Sequence, residues 1–155
     1  PFDIGTASFV QSISTQDSTP TGIAFNSDGS KLFEVGKGSR LIYESSLSDP
    51  FDIATASFVQ SIAAQDVVPN GIAFNSDGSK LFEVGGSGNL IYESSLSVPF
   101  DIGTASFLQS ISTQDSSPTG IAFNSDGSKL FEAGLDSELI YESDGLAGPA
   151  KFEGL

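Results

Sequence analysis

Pro20-Thr21-Gly22-Ile23-Ala24-Phe25-Asn26-Ser27-Asp28-Gly29-Ser30-Lys31-Leu32-Phe33-Glu34 is the stretch on which the fold turns. It returns almost letter for letter at residues 69–83 and again at residues 118–132. Each copy is a short apolar run, an Asp-Gly turn and a second apolar run. Gly supplies the positive φ that a two-residue hairpin turn needs, so the stretch reads as one β-hairpin written three times. A turn centred on Asp28-Gly29 pairs Phe25 with Leu32, Ala24 with Phe33 and Ile23 with Glu34.

Working outward, the repeat covers nearly the whole chain, and repeats decide architecture before anything else. The copies align without gaps as 1–49, 50–98 and 99–147, followed by a tail, 148–155. Each unit predicts four strands, in the first unit 7–13, 22–26, 31–35 and 40–45. A loop at 36–39 would pair Lys31 with Glu44, Leu32 with Tyr43, Phe33 with Ile42 and Glu34 with Leu41. The opposite charges of Lys31 and Glu44 would then meet across strands, worth from a few tenths to about 1 kcal/mol. Helices are not expected, because Gly, Pro, Ser and Thr interrupt every stretch before a 3.6-residue period is established. Both faces of the small sheet carry large apolar side chains. Such a sheet must be sandwiched between neighbours.

Composition narrows the chemistry. The 155 residues include no Cys, His, Met or Trp, so thiol and imidazole chemistry is absent. The remaining oxygen donors suit hard cations rather than zinc. The formal charge is −14, from 20 acidic and 6 basic residues. That balance argues against nucleic-acid partners, which demand a basic footprint, and against anionic membrane surfaces. The acids follow the repeat: Asp3, Asp17, Asp28, Glu34 and Glu44 each return 49 and 98 residues later. No apolar run is long enough to cross a bilayer, and no charged-then-apolar signal segment opens the sequence. Localisation is left open.

Four short strands per 40–50 residues, tandemly repeated and apolar on both faces, is the pattern of propeller blades. Pro-x-Gly-Ile-Ala-Phe-Asn-x-Asp-Gly-Ser-Lys-Leu-Phe, from Pro20 to Phe33, resembles the blade motif of the NHL and YVTN β-propeller repeats. Ile-Tyr-Glu-Ser and Pro-Phe-Asp-Ile-x-Thr-Ala-Ser-Phe resemble outer strands of bacterial and phage-type propellers. The resemblance implies an all-β propeller with strands named A to D from the axis outward. Glu34, Glu83 and Glu132 depart from it, standing where those repeats usually carry Val. In that order 22–26 is strand A, 31–35 B, 40–45 C, and 7–13 a D strand with no blade before it. Three four-stranded blades are fewer than the typical 4–8 of a closed ring. The expectation is a homodimer closed into six blades, each chain's N-terminal outer strand completing the other's last blade.

The candidate site residues are the repeated polar ones. Glu34, Glu83 and Glu132 fall on a surface that should face another blade, where an unpaired carboxylate is costly. Hydroxyls, backbone amides or a lysine could satisfy them; alternatively a ring of carboxylates could accept sugar hydroxyls or a cation. Gln16-Asp17, Gln65-Asp66 and Gln114-Asp115 open the D–A loops, either as turn formers or as a polar grip at a pocket mouth. Asn26-Ser27-Asp28-Gly29-Ser30 lacks the distal bidentate Glu of a calcium loop and reads as a turn. Differences among copies gather at 18–19, 67–68 and 116–117, and at 37–40, 86–89 and 135–138. These D–A and B–C loops emerge on one face, where either recognition or drift without function would gather the differences.

No nucleophile–base arrangement can be built, and no cofactor is expected. A metal-dependent lactonase of the gluconolactonase type would draw different ligands from different blades to one axial site, whereas these blades repeat the same residues. The reading is a non-enzymatic, multivalent, lectin-like binding module with glycan partners, six weak sites acting through avidity. Many propeller lectins stack sugars on Trp, which this chain lacks; Tyr43, Tyr92 and Tyr141 are its only phenols. The alternative is a structural or engineered symmetric scaffold with no intrinsic ligand.

Overall fold

A computed structural model describes residues 4–144. Among them eleven strands form three antiparallel sheets. The first contains β1 (Pro20–Phe25), β2 (Lys31–Gly36), β3 (Leu41–Leu47) and β4 (Ala56–Ala63) in chain order. The second repeats it with β5 (Pro69–Phe74), β6 (Lys80–Gly85), β7 (Leu90–Leu96) and β8 (Ala105–Ser112). The third has β9 (Pro118–Phe123), β10 (Lys129–Gly134) and β11 (Ile140–Asp144). The four-stranded blade expected three times is therefore complete twice among the described residues. Residues 1–3, with Asp3, and 145–155, with the tail 148–155, lie outside them.

The inner hairpin has the register that its turn predicts: Phe25 faces Leu32, Ala24 faces Phe33 and Ile23 faces Glu34. Gly29 takes φ +74° at the turn, the left-handed region that glycine enters without a Cβ clash. The Phe51 ring covers it so closely that a Cβ there would lie 2.3 Å from the ring.

The second hairpin corrects the expected register by two residues. Lys31 faces Ser46, Leu32 faces Ser45, Phe33 faces Glu44 and Glu34 faces Tyr43. The cause is the turn. The loop occupies 37–40, with Arg40 left-handed at φ 63° and its N–H donating to the Gly36 carbonyl at 3.1 Å. Strand side chains alternate with period 2, so a two-residue slip leaves every side chain on its expected face. Lys31 still reaches Glu44, now diagonally, with Nζ 2.6 Å from Oε1.

The outer strand also needs correction. Residues 56–62 and 105–111 lie in β4 and β8, but residues 7–13 form no strand. Their pairing partner would be strand C of a preceding blade, and none is described. Phe9 is consequently 84% exposed.

Packing between sheets supplies the core. Phe33, Val35 and Ile42 of the first sheet cluster with Ile72, Leu81 and Leu96 of the second and with Ile102 in the short helical turn before β8. The Phe33 and Phe74 rings lie 4.5 Å apart, and Phe82 and Phe123 repeat that contact between the second and third sheets. Fully burying such side chains stabilises by roughly 1.5–3 kcal/mol each. The second cluster is smaller, built on Val84, Ile91 and Leu130. Among the described residues only the middle sheet is covered on both faces, the arrangement its two-sided apolar pattern demands.

Candidate functional site

Each B strand carries a buried glutamate at its fourth position, and all three do the same thing. Glu34 Oε1 accepts the Asp17 amide at 2.9 Å and Oε2 accepts the Gln16 amide at 3.0 Å. Glu83 takes the amides of Gln65 and Asp66, both at 2.8 Å. Glu132 takes those of Gln114 and Asp115, both at 3.0 Å. Two consecutive main-chain donors on one carboxylate fix the D–A loop to the B strand. The carboxylates gain their hydrogen bonds from main chain, which meets the cost of burial.

The aspartates extend the clamp. Asp17 Oδ1 accepts the Thr19 amide at 2.6 Å and the Gly38 amide at 3.0 Å. Its Oδ2 accepts the Ser39 amide at 2.7 Å and the Ser39 hydroxyl. Asp66 accepts the amides of Val68, Ser87 and Gly88 and the Tyr92 hydroxyl. Asp115 accepts the amides of Ser117 and Ser137 and the Ser137 hydroxyl. Each aspartate thus ties its D–A loop to the B–C loop. Gly36 makes this possible, since a Cβ there would lie 2.2 Å from the Asp17 carboxyl carbon. Gln16, Gln65 and Gln114 contribute their amides while the residues themselves are exposed.

In the second blade's clamp the two carboxylates are pushed in opposite directions, and Asp17 of the first follows Asp66. Burial pushes the Asp17 carboxyl up, but the Ser39 hydroxyl and the amides of Ser39, Thr19 and Gly38 outweigh it and hold the pKa at about 2. Asp66 is lowered in the same way, with burial opposed by the amides of Val68, Gly88 and Ser87 and by the Tyr92 hydroxyl. Glu83 is raised, because burial and then the Asp66 charge exceed the help of its two amides.

The nine predicted residues therefore assemble as three clamps, one per blade. No group of three carboxylates gathers among the described residues. Glu34 and Gln16 also line a cavity of about 120 Å³ on the open face of the first sheet, with Leu32, Tyr43, Ile53 and Phe58. The same surface on the second sheet, with Gln65, Leu81, Glu83 and Tyr92, retains only about 10 Å³ because Ile42 and Ile62 of the first sheet occupy it. That is room for about one water. A third cavity of about 80 Å³ lies between the second and third sheets, lined by Phe82, Ile91, Phe123 and Leu130.

A second polar constellation grows from the expected Lys31–Glu44 pair and reaches across to the next blade, an extension the sequence does not single out. Glu44 Oε1 accepts Lys31 Nζ, and Oε2 accepts Gln60 Nε2 at 2.8 Å and the Ile102 amide at 3.1 Å. Lys31 Nζ also donates to the Phe100 carbonyl at 2.7 Å, and Gln60 Nε2 to Asp101 Oδ1 at 2.7 Å. The first blade's B, C and D strands are thereby bonded to the linker preceding β8. Glu93 repeats part of this with Lys80 and Gln109, and Glu142 with Lys129. The signal was in the repeats: Gln11, Gln60 and Gln109 recur at the spacing of Asp3, Asp52 and Asp101.

No protein-family model and no curated protein sequence matches the chain. Solved structures do. A Bacteroides fragilis protein described as a 6-phosphogluconolactonase superposes with TM-score 0.66 at 19% identity, over 81% of this chain and 34% of that one. The periplasmic gluconolactonase of Pseudomonas aeruginosa gives TM-score 0.64 at 15% identity, over 83% and 36%. A chain of the mitotic checkpoint complex gives 0.65 at 15%, over 85% and 38%. The chain spans little more than a third of the length of these structures. Neighbours so different in name share architecture and not chemistry: the chain has a propeller-like all-β fold.

Proposed function

We propose that the chain is a non-enzymatic propeller segment. Two copies close head to tail into a six-bladed ring, and the ring presents repeated loops for multivalent, lectin-like carbohydrate recognition. One observation carries the closure. Ile42 and Ile91, buried between blades, are 1% and 4% exposed, whereas their repeat counterpart Ile140 is 78% exposed. The face on which Ile140 lies repeats the one that the second sheet covers on the first. The open face of the first sheet repeats the covering surface. These ends complement each other, and a head-to-tail C2 arrangement would bury both.

Within such a ring the cavity at Glu34 would fill as its counterpart at Glu83 does. Sugar recognition would then fall to the exposed D–A and B–C loops, held rigid by the clamps and different in each blade. Rigid loops of varied sequence are the usual carriers of recognition. Lactone hydrolysis is named for two of the structural neighbours, but the identical main-chain roles of Glu34, Glu83 and Glu132 favour binding over an axial catalytic centre.

Light scattering should return twice the 16.0 kDa chain mass. A stable 16.0 kDa species overturns ring closure. A glycan array, probed with and without Ca²⁺, should show weak multivalent binding. Silence in both conditions leaves the bare scaffold as the function of the ring.

A further inference from the structure

The free edge of β11 is the end of a sheet whose two sister sheets each bind an outer strand there. In the first sheet the bound strand pairs Ile62 with Ile42, Gln60 with Glu44 and Phe58 with Ser45, and Val59 bulges out between the last two pairs. In the second sheet Ile111 pairs with Ile91, Gln109 with Glu93 and Phe107 with Ser94, and Leu108 bulges. The bulge and the glutamine set the register together, since only one offset delivers the amide to the carboxylate. At β11 the same acceptors stand in the same order: Ile140, Tyr141, Glu142 and Ser143. Glu142 is already paired with Lys129, as Glu93 is with Lys80. No described strand lies on the edge of β11 opposite β10.

We infer that the β11 edge is a peptide-binding site that reads a linear motif, Phe-x-Gln-Ser-Ile, through strand addition and a carboxylate–amide bond at Glu142. Its donor is the 7–13 segment of a second copy of this chain. This deepens the ring-closure reading and rests on it for the donor's identity. Residues 7–13 are Ala-Ser-Phe-Val-Gln-Ser-Ile, identical to residues 56–62 that fill the site on the first sheet. They are held ready: Gln11 Nε2 donates to Asp52 Oδ1 at 2.6 Å, as Gln60 does to Asp101 on the next blade. Seated on β11, Ile13 would face Ile140, Gln11 would face Glu142 and Phe9 would face Ser143, with Val10 at the bulge. Backbone hydrogen bonds supply affinity to any extended peptide. Selectivity comes from glutamine, because a neutral donor bonds the Glu142 carboxylate while a carboxylate there is repelled by it.

The test uses the full chain carrying Gln11→Glu, whose own strand is the weaker donor, and a fluorescent peptide of residues 6–15 in excess. Anisotropy should report binding. Replacing the peptide's glutamine by glutamate should weaken binding about tenfold or more. Adding Glu142→Ala to the receptor should remove the difference between the two peptides. Equal binding of both peptides to the Gln11→Glu chain overturns the inference, as does no binding when circular dichroism shows that chain folded. The outcomes separate from ring closure. A monomeric wild-type chain whose Gln11→Glu form binds the peptide selectively keeps the motif reading and loses the ring. A dimer indifferent to Gln11→Glu and Glu142→Ala keeps the ring and loses the motif reading.

Discussion

Residues 7–13 and 56–62 are the same seven amino acids in the same order, yet only the second set is a strand. The second lies against β3 and sends Gln60 to Glu44; the first has no strand beside it and leaves Phe9 in solvent. Intrinsic preference is identical, so the difference is entirely the neighbour. This is the general character of β-structure, where propensity mostly measures packing against adjacent strands. The chain therefore holds two kinds of interaction. Within a blade the glutamate's two main-chain bonds recur three times, while the contacts between blades weaken toward the ends. Substitutions at equivalent positions should separate the two kinds.

The largest expected effects are between blades. Ile42→Ala should cost about 2–5 kcal/mol in urea unfolding, because it empties a space that the neighbouring blade cannot fill. Ile140→Ala should cost far less in a chain held monomeric by dilution, since Ile140 faces solvent. In a closed ring the two costs converge. Lys31→Ala comes next, at about 1.5–3 kcal/mol, because it deprives the buried Glu44 of its cation and the Phe100 carbonyl of its donor. Its counterpart Lys129→Ala touches an exposed pair and should not measurably change the unfolding midpoint. Equal losses from both lysines would show that the blades are not as different as their surroundings.

The division also explains what was legible in the sequence. The inner hairpin was, to the residue, because the Asp28-Gly29 turn leaves one register and every partner lies within a few residues. The second hairpin slipped by two because its turn depends on Arg40 accepting a left-handed conformation, which no glycine announced. The clamp was half legible. Glu34 stood out as a carboxylate on an apolar surface, but its partners are main-chain amides, and those carry no sequence signal. The bonds between blades were least legible. Lys31 meets Phe100 through its carbonyl, and Glu44 meets Ile102 through its amide, so composition could not name either partner.

Clamp substitutions test the interactions that should not depend on position. Glu83→Ala and Glu132→Ala each strand two main-chain donors and should each cost about 1–3 kcal/mol. Hydrogen exchange at Gln65 and Asp66 in the first variant, and at Gln114 and Asp115 in the second, should quicken by comparable factors. A markedly smaller effect at Glu132 would make the clamp another interaction that needs a covering blade.

The most local effect, confined to a narrow pH range, is in acid. Asp17 has a pKa of about 2 in the folded chain against 3.8 ordinarily. The unfolded chain therefore takes up this proton more readily. Stability from Asp17 is complete above about pH 4 and is lost as pH falls toward 2. Glu83 has the opposite sign: raised above 4.5 by burial, it favours the fold while protonated and loses that contribution as pH rises through its folded value. Between pH 2 and 4 Asp17→Asn should flatten the fall in stability, whereas Glu83→Gln should leave the slope there unchanged and alter it only above 4.5. Thermal melts across that range separate them. If both variants changed the same limb of the profile, the clamps would be answering to total charge. Opposite limbs would show that the two carboxyl groups answer to their own hydrogen bonds and burial.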